Sequence, residues 1–307
     1  MTRQAWDTPL RDEPKHSRPR RKSAAGGLAP GLYVTATPIG HARDVTLRAL
    51  DVLEGADLIA AEDTRVTAKL LAIFEIAKPL VPYNDHNAAR QCPRLLARLQ
   101  DGARVALVSD AGTPLVSDPG YKLVREALGA GIRVHAVPGA SAALAALALA
   151  GLPTDRFFFA GFLSAKQGER RHALQELKSV RATLIFFEAP QRLAESLADM
   201  AEILGFRAAA VARELTKLHE EVRRGDLSGL AQAYAQTPPK GEVTLVVGGA
   251  GETRTDFSRV DWALDKALAF MPLRAAVDLV AEMLGVPRRA VYTRALARKN
   301  DGPDATS

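Results

Sequence analysis

The sequence predicts an α/β protein with two α/β domains, followed by a small helical C-terminal region. Three observations support this fold class. Short β-rich runs alternate with helical patterns from residue 31 onward, the alternation pauses at "GLPTDR" (151–156) before it resumes, and the strand patterns stop after residue 251. The chain has 307 residues, of which 47% are hydrophobic and 25% charged, as is typical of globular proteins. At ~150 residues per domain, that length suits about two domains.

The first domain is predicted to span residues 31–150. Its strand candidates are the apolar runs 32–37, 57–62, 79–83, 104–109 and 133–137. Helical patterns lie between and after them, at 45–53, 67–74, 87–99, 120–130 and 141–150. Because apolar strands that alternate with helices form parallel sheets covered on both faces, we expect a largely parallel sheet here.

The second domain is predicted to span residues 151–251. Its strand candidates are 156–162, 182–188, 207–215 and 242–248, and its helices are 169–180, 191–204 and 227–236. Residues 252–307 then form a helical region with helices at 260–270, 273–284 and 289–298. The "GVP" between the last two helices predicts a helix-turn-helix-like arrangement.

Basic residues are concentrated at the two ends of the chain. Residues 1–30 hold seven Lys or Arg against three Asp or Glu, a net +4 of the total +6. With few apolar residues and no periodicity, this segment is predicted to be a disordered basic tail. It could bind nucleic acid through its charge or act only as a solubilising extension. Five further cations, Arg288, Arg289, Arg294, Arg298 and Lys299, form a candidate phosphate-contacting face or an ordinary solvated helix.

The cysteine content and hydropathy indicate a cytoplasmic protein. The single cysteine, Cys92, excludes an intrachain disulfide and fits a reducing compartment. No apolar run reaches the ~18 residues that a membrane-spanning helix requires, so no membrane association is predicted. The N-terminus also lacks the apolar core of a signal peptide.

Unusual loops follow all five predicted strands of the first domain. They are "TPIGHARD" (37–44), "EDTR" (62–65), "NDHN" (84–87), "SDAGTPLVSDPG" (109–120) and "VPGASA" (137–142). Since ligands bind outside the carboxyl ends of parallel strands, these loops are expected to form a ligand site. In the fourth loop, Asp118 is predicted to be the N-cap of the next helix, with Pro119 at its first position.

The loop chemistry excludes several ligand classes. Neither a Walker lysine nor a GxGxxG follows the strands, so nucleoside triphosphates and dinucleotides are not expected. No metal site is predicted, because His86 has no second His or Cys at ligand spacing. Asp110, Thr113 and Ser141 supply short hydrogen-bonding groups beside glycines, which suits a nucleoside ligand without a polyphosphate.

Eight motifs in order make the sequence resemble a known family. "TPIG", "AEDTR", "NDHN", "SDAGTPLVSDPG", "GLPTDRF", "FEAPQRL", "ARELTK" and the "VPG" loop resemble the ribosomal small-subunit RNA cytidine-2′-O-methyltransferases of the tetrapyrrole-methylase superfamily. The resemblance covers about residues 31–249. It implies two α/β domains with S-adenosylmethionine in the cleft between them, and a homodimer. It also implies methyl transfer to the ribose 2′-hydroxyl of a cytidine in the decoding region of small-subunit (16S) rRNA.

The resemblance also implies site residues. The cofactor-binding set is Pro38, Asp110, Gly112, Thr113, Pro114, Val116, Ser141, Ala142, Phe187, Ala212, Val243 and Thr244. Because charge-assisted bonds to phosphate fix the register of a nucleic acid, the candidate RNA contacts are Arg65, Arg192, Arg213 and Lys217. A 2′-hydroxyl must lose its proton, and the candidate general bases are Asp63, His86, Glu188 and Lys217. The sequence does not choose among these four.

Two other functions remain open at this level. A small-molecule methylase acting on a tetrapyrrole of the precorrin type would share the fold and the cofactor. A non-enzymatic RNA-binding or assembly protein would be expected to show damage in the cofactor loops, and these loops are intact. Two positions depart from the family pattern. "GASA" (139–142) differs from the usual "GPCA", and His41 stands where related sequences often have Asn, which leaves the role of His41 open.

Overall fold

A computed structural model describes residues 27–237, 239–251, 257–284, 286 and 288–300. The contacts within the chain divide it after Gly249 into two compact units. Residues 1–26 of the predicted basic tail (1–30) lie outside the described residues. No helix in the described ranges is both long enough and apolar enough to span a membrane.

The first sheet of the larger unit is parallel throughout, as predicted. It contains β1 (Gly31–Thr35), β2 (Leu58–Ala61), β3 (Leu80–Pro82), β4 (Arg104–Val108) and β5 (Val134–Val137) in the order β3-β2-β4-β1-β5. The helices that follow these strands are α1 (Leu47–Gly55), α2 (Thr64–Ile73), α3 (Ala88–Gln100), α4 (Tyr121–Gly129) and α5 (Ala142–Ala150). All five strand-leaving loops therefore share one edge of the sheet.

The second sheet is mixed rather than parallel. It contains β6 (Phe157–Phe162), β7 (Thr183–Glu188), β8 (Ala208–Arg213), β9 (Glu221–Asp226) and β10 (Val243–Val247) in the order β6-β7-β10-β8-β9. Strand β10 runs antiparallel to both of its neighbours. The helices are α6 (Gln167–Leu177), α7 (Leu193–Leu204) and α8 (Leu227–Gln236). Strand β9 was not predicted, because its sequence "EVRRGD" carries four charges and no apolar alternation.

Helix α5 joins the two halves of the larger unit. Its nine residues contain only Ala and Leu, and its small side chains pack against β7, β8 and β10 of the second sheet. One apolar cluster contains Ala146 and Leu147 of α5, Ile39 from the loop after β1, and Ile185 and Val246 from the second sheet. Burial of these apolar side chains fixes the loops of the first sheet against the second sheet.

The C-terminal unit is a three-helix bundle, as the sequence predicts. Its helices are α9 (Phe257–Leu268), α10 (Leu273–Leu284) and α11 (Arg288–Asn300), packed around a core that includes Leu264, Val277 and Val291. Three arginines of the candidate phosphate-contacting face are paired with acids of the same unit. The pairs are Arg288 with Asp278, Arg294 with Asp261, and Arg298 with Asp261 and Asp265. These pairs reduce the net positive charge of that face.

Candidate active site

Hydrogen bonds tie the loops after β1, β4 and β5 together. The Thr37 N–H donates to the Gly112 carbonyl at 2.9 Å, and the Gly112 N–H donates back to Thr37 at 3.1 Å. Gly112 has φ +81°, a conformation that costs other residues free energy. The Thr113 hydroxyl donates to the Ala140 carbonyl at 3.2 Å. These bonds place most of the predicted cofactor residues of the first half side by side: Pro38, Gly112, Thr113, Pro114, Ser141 and Ala142.

The N-terminus of α5 is open toward the same loops. Ser141 occupies the N-cap position, and its side chain makes no capping hydrogen bond to the helix. The first backbone N–H groups of a helix have no intrahelical acceptor and carry partial positive charge. Ser141 and the N–H groups that follow it can therefore bind a carboxylate.

Three predicted residues of the second half form one row across neighbouring strands. Thr244 of β10 pairs in register with Phe187 of β7 and with Ala212 of β8. Ala212 and Thr244 line a recess of about 20 Å³ together with Ile39, Ala142, Leu215 and Glu242. A recess of that size has room for about one water molecule. The row and the recess bring the predicted residues Ala142, Ala212 and Thr244 together.

The next row of the same strands faces the other way. Glu188, Val243 and Arg213 are paired in register, and Val243 packs in the apolar core of the second half. The Glu188 carboxylate is buried and accepts hydrogen bonds from the Ala189 N–H at 2.8 Å and the Ser196 hydroxyl at 2.5 Å. Arg192 lies 3.0 Å from it. Glu188 thus has its oxygens occupied within the protein, which is unlike a free base.

Lys217 is held between two carboxylates beside the small recess. Its Nζ lies 2.8 Å from Glu214 Oε1 and 3.1 Å from Glu242 Oε2. Burial lowers the pKa of Lys217, but the two carboxylates outweigh burial and the net pKa is raised. An ammonium held in its charged form cannot accept a proton, so the geometry does not favour Lys217 as a base.

His41 has a local role in the same region. Its Nδ1 accepts a hydrogen bond from the Arg43 N–H at 3.2 Å and caps the short 3₁₀ turn Ala42–Asp44. Its backbone N–H donates to the Thr216 hydroxyl at 3.0 Å, which connects the loop after β1 to the loop after β8.

A larger cavity of about 460 Å³ lies at the carboxyl ends of β2, β3 and β4. Its wall is formed by Glu62, Asp63, Thr64, Arg65, Pro82, Asn84, Asp85, His86, Asp110 and Pro119. The structure thus brings together the predicted residues Asp63, Arg65, His86 and Asp110. Asp110 belongs to the same loop as Gly112 and Thr113. This cavity therefore adjoins the loops after β1, β4 and β5, which are joined by hydrogen bonds.

Asp63 is strongly paired on this wall. Its carboxylate accepts hydrogen bonds from Arg65 Nε at 3.0 Å and Nη2 at 2.5 Å, and from the Arg65 N–H at the start of α2 at 2.8 Å. These bonds lower the pKa of Asp63 to about 2, so its carboxylate is a weak base. His86 is exposed at the rim of the cavity.

The sequence reasoning missed two carboxyl groups in this region, Glu62 and Asp118. Glu62 Oε2 accepts the Asp110 N–H at 3.3 Å, and Asp110 Oδ1 accepts the Asp63 N–H at 2.9 Å. Burial, followed by nearby negative charges, raises the pKa of Glu62 and of Asp118, the latter to about 7. Glu62 could have been found from the sequence, because it is the first residue of the "EDTR" loop at the end of the second predicted strand.

The prediction that Asp118 caps α4 was wrong. The N-cap is Gly120, with φ +137°, and the helix begins at Tyr121. Leu115 and Ser117, which precede Asp118, adopt left-handed conformations, with φ +72° and +65°. Asp118 therefore lies close enough to Glu62 and Asp110 for their charges to raise its pKa. Strained backbone of this kind is concentrated at functional sites.

Comparison with known proteins identifies the family. The family model for Tetrapyrrole (Corrin/Porphyrin) Methylases matches residues 31–231, and the model for the RsmI C-terminal HTH domain matches residues 255–299. A Ribosomal RNA small subunit methyltransferase I of Mesorhizobium japonicum is 52% identical over 275 residues, which are 89% of this chain and 94% of that protein. The chain belongs to the ribosomal RNA small subunit methyltransferase I family of tetrapyrrole methylases.

Solved structures show the same fold. A uroporphyrin-III-C-methyltransferase from Thermus thermophilus has a TM-score of 0.53 and 26% identity, covering 71% of this chain and 94% of its own. A uroporphyrin-III C-methyl transferase of the same organism, complexed with S-adenyl homocysteine, has a TM-score of 0.52 and 20% identity and covers 71% and 97%. The predicted two-sheet methylase fold is therefore confirmed for the part of the chain that carries the site.

This tetrapyrrole methylase site contains carboxylates without a metal-binding arrangement. Among the described residues, no group of three or more His, Cys, Asp or Glu side chains has a geometry that could hold a metal ion. We therefore consider the carboxyl groups of the large cavity as hydrogen-bonding and proton-accepting groups.

Proposed function

We propose that this protein transfers a methyl group from S-adenosylmethionine to the ribose 2′-hydroxyl of a cytidine in the decoding region of small-subunit (16S) rRNA, in the cytoplasm. The observation that carries the proposal is that the hydrogen-bonded loops after β1, β4 and β5 meet the N-terminus of α5 and the Phe187–Thr244–Ala212 row at the small recess, while Asp110 of the same loops lines the large cavity. The relatives of this family are named for methylation of small-subunit rRNA, which supports the same substrate class.

The residues present fit S-adenosylmethionine. The cofactor supplies a methyl group bound to a sulfonium sulfur, and this methyl group is transferred by in-line displacement. Ser141 and the α5 N-terminus suit its carboxylate, and Asp110 suits its ammonium or ribose hydroxyls. The Thr244 hydroxyl has no hydrogen-bond partner among the described residues and lines the recess where we place the adenine. The recess must widen to admit that ring, because its present volume suits one water molecule.

Arg65 is the candidate RNA contact that the geometry favours most. Its side chain is 83% exposed on the wall of the large cavity, although it also pairs with Asp63. Arg192, Arg213 and Lys217 are paired with Glu188, Glu221 and Glu214 respectively, and these carboxylates offset their charge. We propose that these three orient the loops that surround the cofactor, and that Arg65 is the one that meets a phosphate.

The C-terminal region disfavours the alternative, methylation of a tetrapyrrole. Residues 255–299 match the family model for the RsmI C-terminal HTH domain, which is named for the rRNA methylases. The carboxylates of Glu62, Asp63, Asp85 and Asp110 in the large cavity repel the carboxylates of a uroporphyrin-type tetrapyrrole and the phosphates of RNA alike. Charge therefore does not decide between the two substrates.

The test is the methylation state of the rRNA. We expect purified protein, given S-adenosylmethionine and small ribosomal subunits from a strain that lacks its gene, to add one ribose methyl to a decoding-region cytidine, located by mass spectrometry of nuclease fragments. Naked 16S rRNA serves as the second substrate. Unmodified RNA together with methylation of a uroporphyrinogen-type tetrapyrrole would establish the alternative. No transfer to either substrate would favour a non-enzymatic assembly protein.

We also propose that the protein is a homodimer. Strand β6 is an edge of the second sheet and exposes Phe157, Phe158 and Phe162 at 46%, 46% and 56% of their surface. An exposed apolar edge strand pairs readily with another chain unless something covers it. A second copy of the chain accounts for this exposure.

Phe158→Glu is expected to convert the dimer to a monomer, because it places a charge in the proposed interface. Light scattering coupled to size-exclusion chromatography measures the mass. The matched control is Phe206→Glu, which changes a phenylalanine that is 90% exposed in the turn after α7. The control should remain dimeric. If Phe158→Glu has the mass of the wild type, β6 is not the interface.

A further inference from the structure

We propose that Glu62 is the catalytic residue that accepts the proton of the substrate hydroxyl during methyl transfer. This role presupposes the RNA methylation proposed above and assigns its missing base. Glu62 is not one of the four candidate bases expected from the sequence. Glu62 lies on the wall of the large cavity, directly after β2 and beside the loop of β4 that carries Asp110.

The hydrogen bonds of Glu62 leave one carboxylate oxygen available. Oε2 is fixed by the Asp110 N–H at 3.3 Å, and Oε1 has no hydrogen-bond partner in the described part of the chain. Asp110 is fixed in turn by the Asp63 N–H at 2.9 Å. A carboxylate that is oriented by one oxygen and free at the other is suited to proton transfer at the free oxygen.

The other groups on this wall are less suited to the role. Asp63 is neutralised by Arg65, and Asp85 and His86 are exposed at the rim. Asp110 is the residue that we place against the cofactor. Glu62 is the half-buried carboxyl on the wall that neither a cation nor the cofactor engages.

The proton transfer completes a balanced displacement. A lone pair of O2′ forms the new bond to the methyl carbon while the S–CH₃ bond breaks and its electrons return to sulfur. The hydroxyl proton moves to Glu62 Oε1 and then reaches bulk water through the open cavity. The products are the 2′-O-methyl nucleotide, S-adenosylhomocysteine and one released proton.

The groups that face Glu62 adjust its proton affinity to this task. Asp118 lies near Glu62 but is largely uncharged in acid, because its pKa is about 7. Asp63 follows Glu62 in the chain, Asp85 comes from the loop after β3, and Asp110 comes from the loop after β4. Burial and these negative charges raise the pKa of Glu62 above its usual 4.5. A base is more effective as its pKa approaches the working pH. The rate should therefore increase with pH through a range above that of an ordinary glutamate.

The decisive variant is Glu62→Gln, measured in single-turnover methylation of small subunits between pH 5 and 9. We expect the rate to fall by ~10²–10³-fold and its acid limb to disappear. The affinity for S-adenosylmethionine, measured by calorimetry, should be unchanged. The matched control is Glu54→Gln, an exposed position near the end of α1 at the opposite edge of the sheet, which should behave as wild type.

A second variant tests whether neighbouring negative charges raise the pKa of Glu62. Asp85→Asn removes a negative charge that raises the pKa of Glu62, so this pKa should fall and the acid limb should move to lower pH. A purely structural role of Glu62 would not produce this shift. An active wild type with an equally active Glu62→Gln variant, or with an unshifted Asp85→Asn profile, overturns the role of Glu62 alone. A wild type that does not methylate RNA at any pH overturns the proposed function and this role together.

Discussion

Asp199→Ala is expected to lower the free energy of unfolding by about 3–5 kcal/mol, the largest stability effect that we predict. Asp199 of α7 and Arg170 of α6 form a buried ion pair, with side chains 4% and 2% exposed and Nε 2.7 Å from Oδ2. Removing the carboxylate leaves the Arg170 guanidinium buried without its main counter-charge. Urea unfolding measures the loss.

The surroundings of this pair explain why no other group replaces the carboxylate. Asp199 Oδ1 also accepts bonds from Gln167 at 3.2 Å and Arg171 at 3.1 Å, whereas Glu195 lies 3.7 Å from Arg170 and is largely exposed. Although burial raises the pKa of Asp199, these donors lower it overall. The stabilisation is therefore present above the usual range of an aspartate and is lost as the pH falls through the lowered pKa.

The control for this prediction is Glu169→Ala on α6, the helix that carries Arg170. Glu169 pairs with Lys166 at 2.9 Å, but both side chains are more than half exposed. Exposed pairs contribute at most ~1 kcal/mol, so the control should unfold close to the wild type. If the two variants lose the same free energy, the buried pair does not stabilise the α6–α7 packing.

The first sheet could be predicted because its signals are local. Apolar runs such as Val105–Val108 predict buried parallel strands, and a loop that contains Gly and Pro follows the first, fourth and fifth of them. The second sheet was harder, because its strand order depends on pairing over long sequence distances. The insertion of β10 between β7 and β8 leaves no periodic trace in the sequence. The charges of β9 also conceal it, since an exposed edge strand has no apolar face to show.

The position of the site was predictable, but not which side chains face it. Consecutive residues in a strand point to opposite faces of the sheet. Phe187 and Glu188 therefore cannot both face the recess, and neither can Val243 and Thr244. To decide which residue of each pair faces the recess, one must know which face of the second sheet α5 covers. That is a property of tertiary packing. Asp118 shows the same limit, because a favourable capping sequence was overridden by two left-handed residues before it.

Ala212→Leu is expected to weaken S-adenosylmethionine binding by at least ~100-fold, the largest effect that we predict on the cofactor site. Ala212 is buried in the row with Phe187 and Thr244, where we place the adenine. Three added carbons would fill a recess of about 20 Å³ and occupy the space into which it must widen. Calorimetric titration measures the affinity.

The matched control for the recess is Ala208→Leu, at the exposed first position of the same strand. It adds the same atoms to β8 without entering the recess, so cofactor affinity should be retained. Since overpacking a buried site costs ~1–3 kcal/mol, both variants must be shown to be folded at the titration temperature. A folded Ala212→Leu protein with wild-type affinity would place the adenine away from this row. The Thr244 hydroxyl would then no longer be a contact of the cofactor, whereas the role of Glu62 in the large cavity would be unaffected.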